Sequence, residues 1–218
     1  MKLFLMVGTC LVAAFLAAGV VTGLVLAGEK RTGHSVLGTL VVREASRPVG
    51  FPGPTPVGQI EVKKYPVTRS ASVKASDVPR NGMFQTLFRH IKKNDISMTA
   101  PVVMQFGERG TEQMGFLYAS PDLGATGVQG DVMVKDMSAM TVVSVGVRGA
   151  YTQARFEENR MLLMQWLESH RGQWVAVAPA RYLAFNSPFV PNLMKYGEVQ
   201  VPVRPVSQGT APLKGNAP

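Results

Sequence analysis

Between residues 59 and 204 the hydrophobic pattern runs twice through one order of periods. In the first pass "IEVKKYPVTRSASV" alternates with period two, and "NGMFQTLFRHIKKN" places Phe84, Leu87, Phe88 and Ile91 on one helical face. "ISMTAPVVMQF" and "MGFLYAS" then read as two further strands. In the second pass "VMVKDMSAMTVVSVGVRG" reads as a long strand or a strand pair, and "FEENRMLLMQWLESHR" puts Leu163, Trp166, Leu167 and His170 on one face. "VAPARYLAFNSPF" and "EVQVPV" close the unit. A unit of strand, helix, strand, strand buries only one face of its helix and sheet, so two copies complete a core that one cannot. The expected fold class is α+β: two pseudo-symmetric β-α-β-β units forming a distorted antiparallel barrel or sheet with two flanking helices.

The first helical pattern stops at Asn94-Asp95, residue types that favour caps and turns. The β-rich run that follows carries Pro101. Proline has no N–H to give to a ladder, so it belongs at an edge or bulge and marks a local break in pairing.

The ends of the chain read differently from its middle. Residues 1–28, "MKLFLMVGTCLVAAFLAAGVVTGLVLAG", carry no charge after Lys2. At about 1.5 Å per residue such a stretch is long enough to cross a hydrocarbon core of about 30 Å. It reads as an N-terminal membrane anchor or as a signal peptide, because Val25-Leu26-Ala27 would also suit a signal peptidase. Lys30, Arg31, Arg43 and Arg47 outnumber Lys2 and the amino terminus, which keeps an anchored domain cytoplasmic, whereas a signal exports it. The side of the membrane stays open. Cys10, the chain's one cysteine, lies within this segment, so the folded part has neither a disulfide nor a thiolate metal site. Residues 29–58, ending "RPVGFPGPTPVGQ", read as a Gly/Pro-rich tether and residues 205–218 as a flexible tail. One folded domain, residues 59–204, is expected between them as a monomer.

A net charge of +9 over 218 residues favours anionic partners. Nucleic acid is not expected among them, since the basic residues are scattered and no nucleic-acid-binding signature is present. Catalysis has equally little support: there is no G-x-S-x-G, no H-E-x-x-H and no Gly-rich phosphate loop. Glu157-Glu158 are adjacent on a helix, so their carboxylates diverge by about 100° and form no acid/base couple. The expectation is a binding protein, not an enzyme.

"FQTLFRHIKKND" followed by "ISMTAPV", with "IEVKKYPVTRSASV" before and "RYLAFNSPF" and "GEVQVPV" after, resembles the SOUL heme-binding protein family over roughly residues 59–203. The resemblance implies two β-α-β-β units and a heme or porphyrin ligand. Heme is a large apolar disc with two carboxylates, which asks for an apolar groove with a basic rim. By the family pattern the groove runs along the first helix and under the loop before the last strand. It maps here onto Phe84, Leu87, Phe88, Arg89, Phe185, Phe189 and Lys195. The apolar residues would cover the ring, and Arg89 and Lys195 would pair with propionates.

Some members of the family carry a ligating histidine soon after the tyrosine of the first strand; Val67, Thr68 and Arg69 stand there in this chain. Of its three histidines, His34 falls in the tether and His170 ends the second helix, where capping is the simpler role. His90 remains as the candidate axial ligand, beside the alternative of a structural histidine. "LMKYGEV" also departs from the family pattern around Lys195. Two other readings stand beside a membrane-tethered or exported tetrapyrrole binder. One is an effector-binding-type module for another apolar small molecule, and the other is a membrane-associated protein-interaction module.

Overall fold

The computed structural model describes residues 45–206, together with the backbone of a two-residue antiparallel pairing of Leu24–Val25 with Val41–Val42. The anchor or signal expected over residues 1–28, and most of the tail expected from residue 205, lie otherwise outside the described residues. Among the described residues no helix is long and apolar enough to cross a membrane.

Ten strands form one sheet. In chain order they are β1 (Ile60–Tyr65), β2 (Thr68–Lys74), β3 (Val102–Gly107), β4 (Gly110–Leu117), β5 (Gly127–Gln129), β6 (Val132–Met137), β7 (Met140–Arg148), β8 (Trp174–Ala176), β9 (Arg181–Ala184) and β10 (Tyr196–Pro205). Helix α1 (Met83–Lys93) follows β2, and α2 (Gln153–Ser169) follows β7. All pairings among these strands are antiparallel, in the order β1-β7-β10-β9-β3-β4-β2-β6-β5, with β8 on β10 off that path. The sheet does not close into a barrel: β1 and β5 end the path at opposite edges.

The duplication is plain in this order. Strands β3, β4 and β2 of the first half and β9, β10 and β7 of the second sit in mirrored sequence and meet where Leu183 pairs with Val103. The outermost strands are traded. β1 precedes β2 but pairs with β7, whereas β6 precedes β7 but pairs with β2. Two-residue bends, Pro66-Val67 and Ser138-Ala139, carry the chain from one half to the other. The stretch that alternates without interruption in the sequence is thus two strands in two different places.

Alternation along each strand sorts the residues onto two faces. On one face Val143, Val145, Val199, Val201 and Tyr182 pack with Phe156, Leu163 and Leu167 of α2. Ala71, Val73, Phe116, Val132 and Val134 pack with Met83, Leu87 and Ile91 of α1. Each fully buried leucine of this kind contributes about 1.5–3 kcal/mol of transfer free energy. Helix α1 ends as the sequence suggests. Asn94 Nδ2 donates to the His90 carbonyl at 2.8 Å, Asp95 takes a left-handed φ of 52°, and the Ile96 N–H reaches back to the Ile91 carbonyl at 2.8 Å. Pro101 lies just ahead of β3 and takes no part in its ladder.

The face away from the helices is polar and still buried. It carries Lys63, Ser144, Arg181, Glu198 and Gln200. Part of its cover comes from residues 46–58, a stretch expected to be a loose tether but laid down on the sheet as a strap. Ala100 N–H donates to the Ser46 carbonyl at 2.9 Å, Val49 N–H to the Ala119 carbonyl at 2.9 Å, and Val57 makes a parallel bridge with Gly146. Gly146 is required there, since a Cβ would collide with the carbonyl oxygens of Thr55 and Pro56.

Candidate ligand-binding site

Helix α1 buries Met83, Leu87, His90 and Ile91, spaced i, i+4, i+7 and i+8, and this fixes what its other side presents. Phe84 and Phe88 fall at the edge of the buried stripe and are only half-buried. Their rings stack on each other at 6.2 Å with an interplanar angle of 11°, and Phe84 meets Phe116 edge-on at 5.1 Å. The pair forms an aromatic shelf anchored in the core along one side. Lys92 Nζ lies 5.7 Å from the centre of the Phe88 ring, and Arg89 is exposed on the next turn with its Nε on the Gln85 carbonyl at 3.4 Å. Leu87 is fully buried, so it supports the shelf from beneath and offers no surface of its own.

Lys92 was not singled out by the sequence reading. Its signal was present in the i, i+4 spacing from Phe88, which brings a long cationic side chain back over the ring.

His90 points inward. Its Nε2 is 2.8 Å from the Tyr118 hydroxyl, and the residue is 8% exposed. Burial, with Lys93 nearby, holds its imidazole below the ordinary histidine range, and burial raises the Tyr118 hydroxyl in turn. Its Nε2 is thus engaged with the Tyr118 hydroxyl, and the Asn94 amide nitrogen lies 3.5 Å from its Nδ1.

The second group of residues lies in the segment between β9 and β10. Phe185 is buried against Tyr196 at 5.3 Å, in a cluster with Leu183 that is separate from the one under α1. Phe189 is 94% exposed and Leu193 75%. Lys195 donates to Asn192 Oδ1 at 2.9 Å and sits 5.7 Å over the Tyr151 ring. The pairing of Ala184 with Val102 starts this segment at the same end of the sheet as the loop joining α1 to β3. Phe84, Phe88 and Arg89 thus share one helix surface; Phe189 and Lys195 share one loop. Phe185 does not reach either surface.

Chemically, the shelf and loop offer flat apolar area and lone cationic donors, a combination suited to a planar amphipathic anion. Among the described residues no group of three or more His, Cys, Asp or Glu side chains is placed to hold a metal ion.

No curated protein sequence matches the chain. Among solved structures, the C-terminal domain of EcmrR is similar with a TM-score of 0.50 and 19% identity, covering 68% of this chain and 98% of that one. EcmrR in its DNA complex gives 0.54 and 18%, over 68% and 58%. A structure described as a hydrolase from Listeria innocua gives 0.50 and 12%, over 70% and 94%. At these identities the likeness concerns the fold alone. The family described as SOUL heme-binding protein matches residues 55–202, from the strap to the end of the last strand's core, and the chain belongs to that family.

Proposed function

We propose that this protein binds heme or a related porphyrin, with the ring against the Phe84–Phe88 shelf and the carboxylates on Arg89 and Lys195. Membership of a heme-binding family makes a tetrapyrrole the first ligand to consider. The observation that carries the site is the stacked aromatic pair, half-buried and flanked by the Arg89 and Lys92 cations. Ring contact and ion pairing would supply the affinity, since His90 is engaged with Tyr118. When bound, heme would bring its own redox and ligand chemistry to the site. The chain's part would be to hold the ring and orient the carboxylates. The uncharged N-terminal stretch would hold this binder at a membrane or direct its export, in a role of transport, buffering or sensing.

The test is an absorbance titration of the full-length protein with hemin and with iron-free protoporphyrin. Saturable binding of both with similar affinity is expected. A hemin affinity far above that of protoporphyrin, with a shifted Soret band, would replace this reading with iron ligation; no saturable binding of either would remove it.

A further inference from the structure

A cleft of about 380 Å³ opens on the helix-free face of the sheet, at the Ser138-Ala139 bend between β6 and β7. Its lining includes Met137, Met140 and Pro202, the exposed Lys135 and Ala139, and the buried Arg181. Arg181 precedes Tyr182 and Pro202 follows Val201, both of which point to the α2 side, so the cleft lies across the sheet from α2. Met137 and Lys135 likewise alternate with Val134, which faces α1. This cleft is therefore a different place from the Phe84–Phe88 shelf.

Arg181 is unusual for its setting. It is 6% exposed, yet no carboxylate lies within ion-pair distance of it among the described residues. Gln200 Oε1 accepts from its Nε at 3.0 Å and its Nη2 at 2.9 Å, and the Tyr65 ring lies 5.6 Å from its guanidinium carbon. The nearby Glu198 carboxylate is already held by Lys63 at 2.8 Å, so the buried cluster has two cations and one carboxylate. Asp136 also lines the cleft, but its carboxylate is bound through both oxygens to Arg69 at 2.7 and 3.0 Å. Buried charges are ordinarily paired, and an arginine presents N–H groups along more than one edge. Gln200 takes the Nε/Nη2 edge; the Nη1/Nη2 edge retains two parallel N–H groups.

The strap shows what a filled site on this face looks like. There the strap's Thr55 N–H joins Lys63, Ser144 and Gln200 of the sheet in satisfying Glu198. At the cleft Arg181 of the sheet offers donors, and no residue of the strap lines it.

We propose that this cleft is a second binding site, for a small monocarboxylate with a compact apolar body. The carboxylate takes the free edge of Arg181 as a forked pair of hydrogen bonds, and the exposed Lys135 draws it in. The apolar body packs on Met137, Met140 and Pro202. The cleft's volume is near the low end for small-molecule sites, which fits a single ring or a short branched chain.

The experiment uses the full-length protein and 19F NMR with 4-(trifluoromethyl)benzoate as probe, alongside the neutral 4-(trifluoromethyl)benzamide. Saturable binding of the carboxylate, about tenfold tighter than the amide, is expected. Ala139→Trp fills the cleft from its exposed lining and should abolish carboxylate binding while leaving the circular dichroism spectrum unchanged. Arg181→Met should weaken the carboxylate about tenfold and leave the amide where it was. If that variant fails to fold, the Ala139→Trp result decides. Equal affinity for the two probes, binding that survives Ala139→Trp, or no binding of the carboxylate overturns the proposal.

Discussion

Lys63 and Glu198, 135 residues apart in the chain, form an ion pair of 2.8 Å under the strap, with side-chain exposures of 6% and 0%. The carboxylate also accepts from the Thr55 N–H at 2.7 Å, Ser144 Oγ at 2.8 Å and Gln200 Nε2 at 2.8 Å, so its lone pairs are filled from four elements. Removing one partner of a buried pair leaves the other uncompensated, at a cost of about 3–5 kcal/mol. Lys63→Met should therefore lose that much in urea unfolding. A loss under about 1 kcal/mol, the range of exposed pairs, would mean that the pair is solvated in solution.

The strap itself can be loosened from a single position. Gly146→Ala places a methyl group against the backbone of Thr55 and Pro56, which cannot yield as a side chain could. A cost of about 1–3 kcal/mol is expected. Amide hydrogen exchange should report it through faster exchange at Gly58 and Val49, whose N–H groups donate to the Gly146 and Ala119 carbonyls at 2.9 Å each. Unchanged exchange would show that the strap is not held where Gly146 meets it.

His90 should give the protein an acid-side weakness. Its folded pKa lies below the ordinary histidine value because burial disfavours the imidazolium. The unfolded chain then binds the proton more readily. The stability due to the neutral ring is fully present above about pH 6.5 and is lost as pH falls from there through the folded value. Unfolding free energies of wild type and His90→Gln, measured from pH 7.5 to 5, should show a shallower slope for the variant. Parallel slopes would place the titration elsewhere.

The α1 surface separates support from contact. Leu87→Ala empties a fully buried position and should cost about 2–5 kcal/mol in stability. The double variant Phe84→Ala, Arg89→Ala should keep the fold and lower hemin affinity about tenfold, the equivalent of about 1.4 kcal/mol of lost contact. Titration curves that overlay wild type would move the ligand off the shelf.

What the sequence made legible was local. Ile91 was readable as core because helical periodicity places it there, and the stop at Asn94-Asp95 needed only cap chemistry. The shelf was half readable: Phe84 and Phe88 stood out, but no spacing rule tells a half-buried edge from the fully buried Leu87 beside it. Lys63 was not readable at all. In "IEVKKYPV" it looks like a solvated lysine, and only Glu198, brought beside it through β7 and β10, gives it a reason to be buried. The strap was misread for a related reason. Its Gly and Pro content signals extended chain, and extended chain can lie on a sheet as well as hang free. Arg181 had no signal, because its significance lies in the carboxylate it lacks.

The crossing of the chain at Pro66-Val67 and Ser138-Ala139 decides how the molecule can come apart. A fragment ending near residue 130 would hold β1 with no strand to pair with, and a β3-β4-β2 sheet left bare at β3, which has lost β9, and at β2, which has lost β6. The complementary fragment would have the matching vacancies. Neither half is an independent module despite their shared pattern, and unfolding should pass through no stage in which one half survives whole. A molecule reduced to a single unit could complete its sheet only by lending its first strand to a second copy, so the internal repeat is a dimer's solution written into one chain.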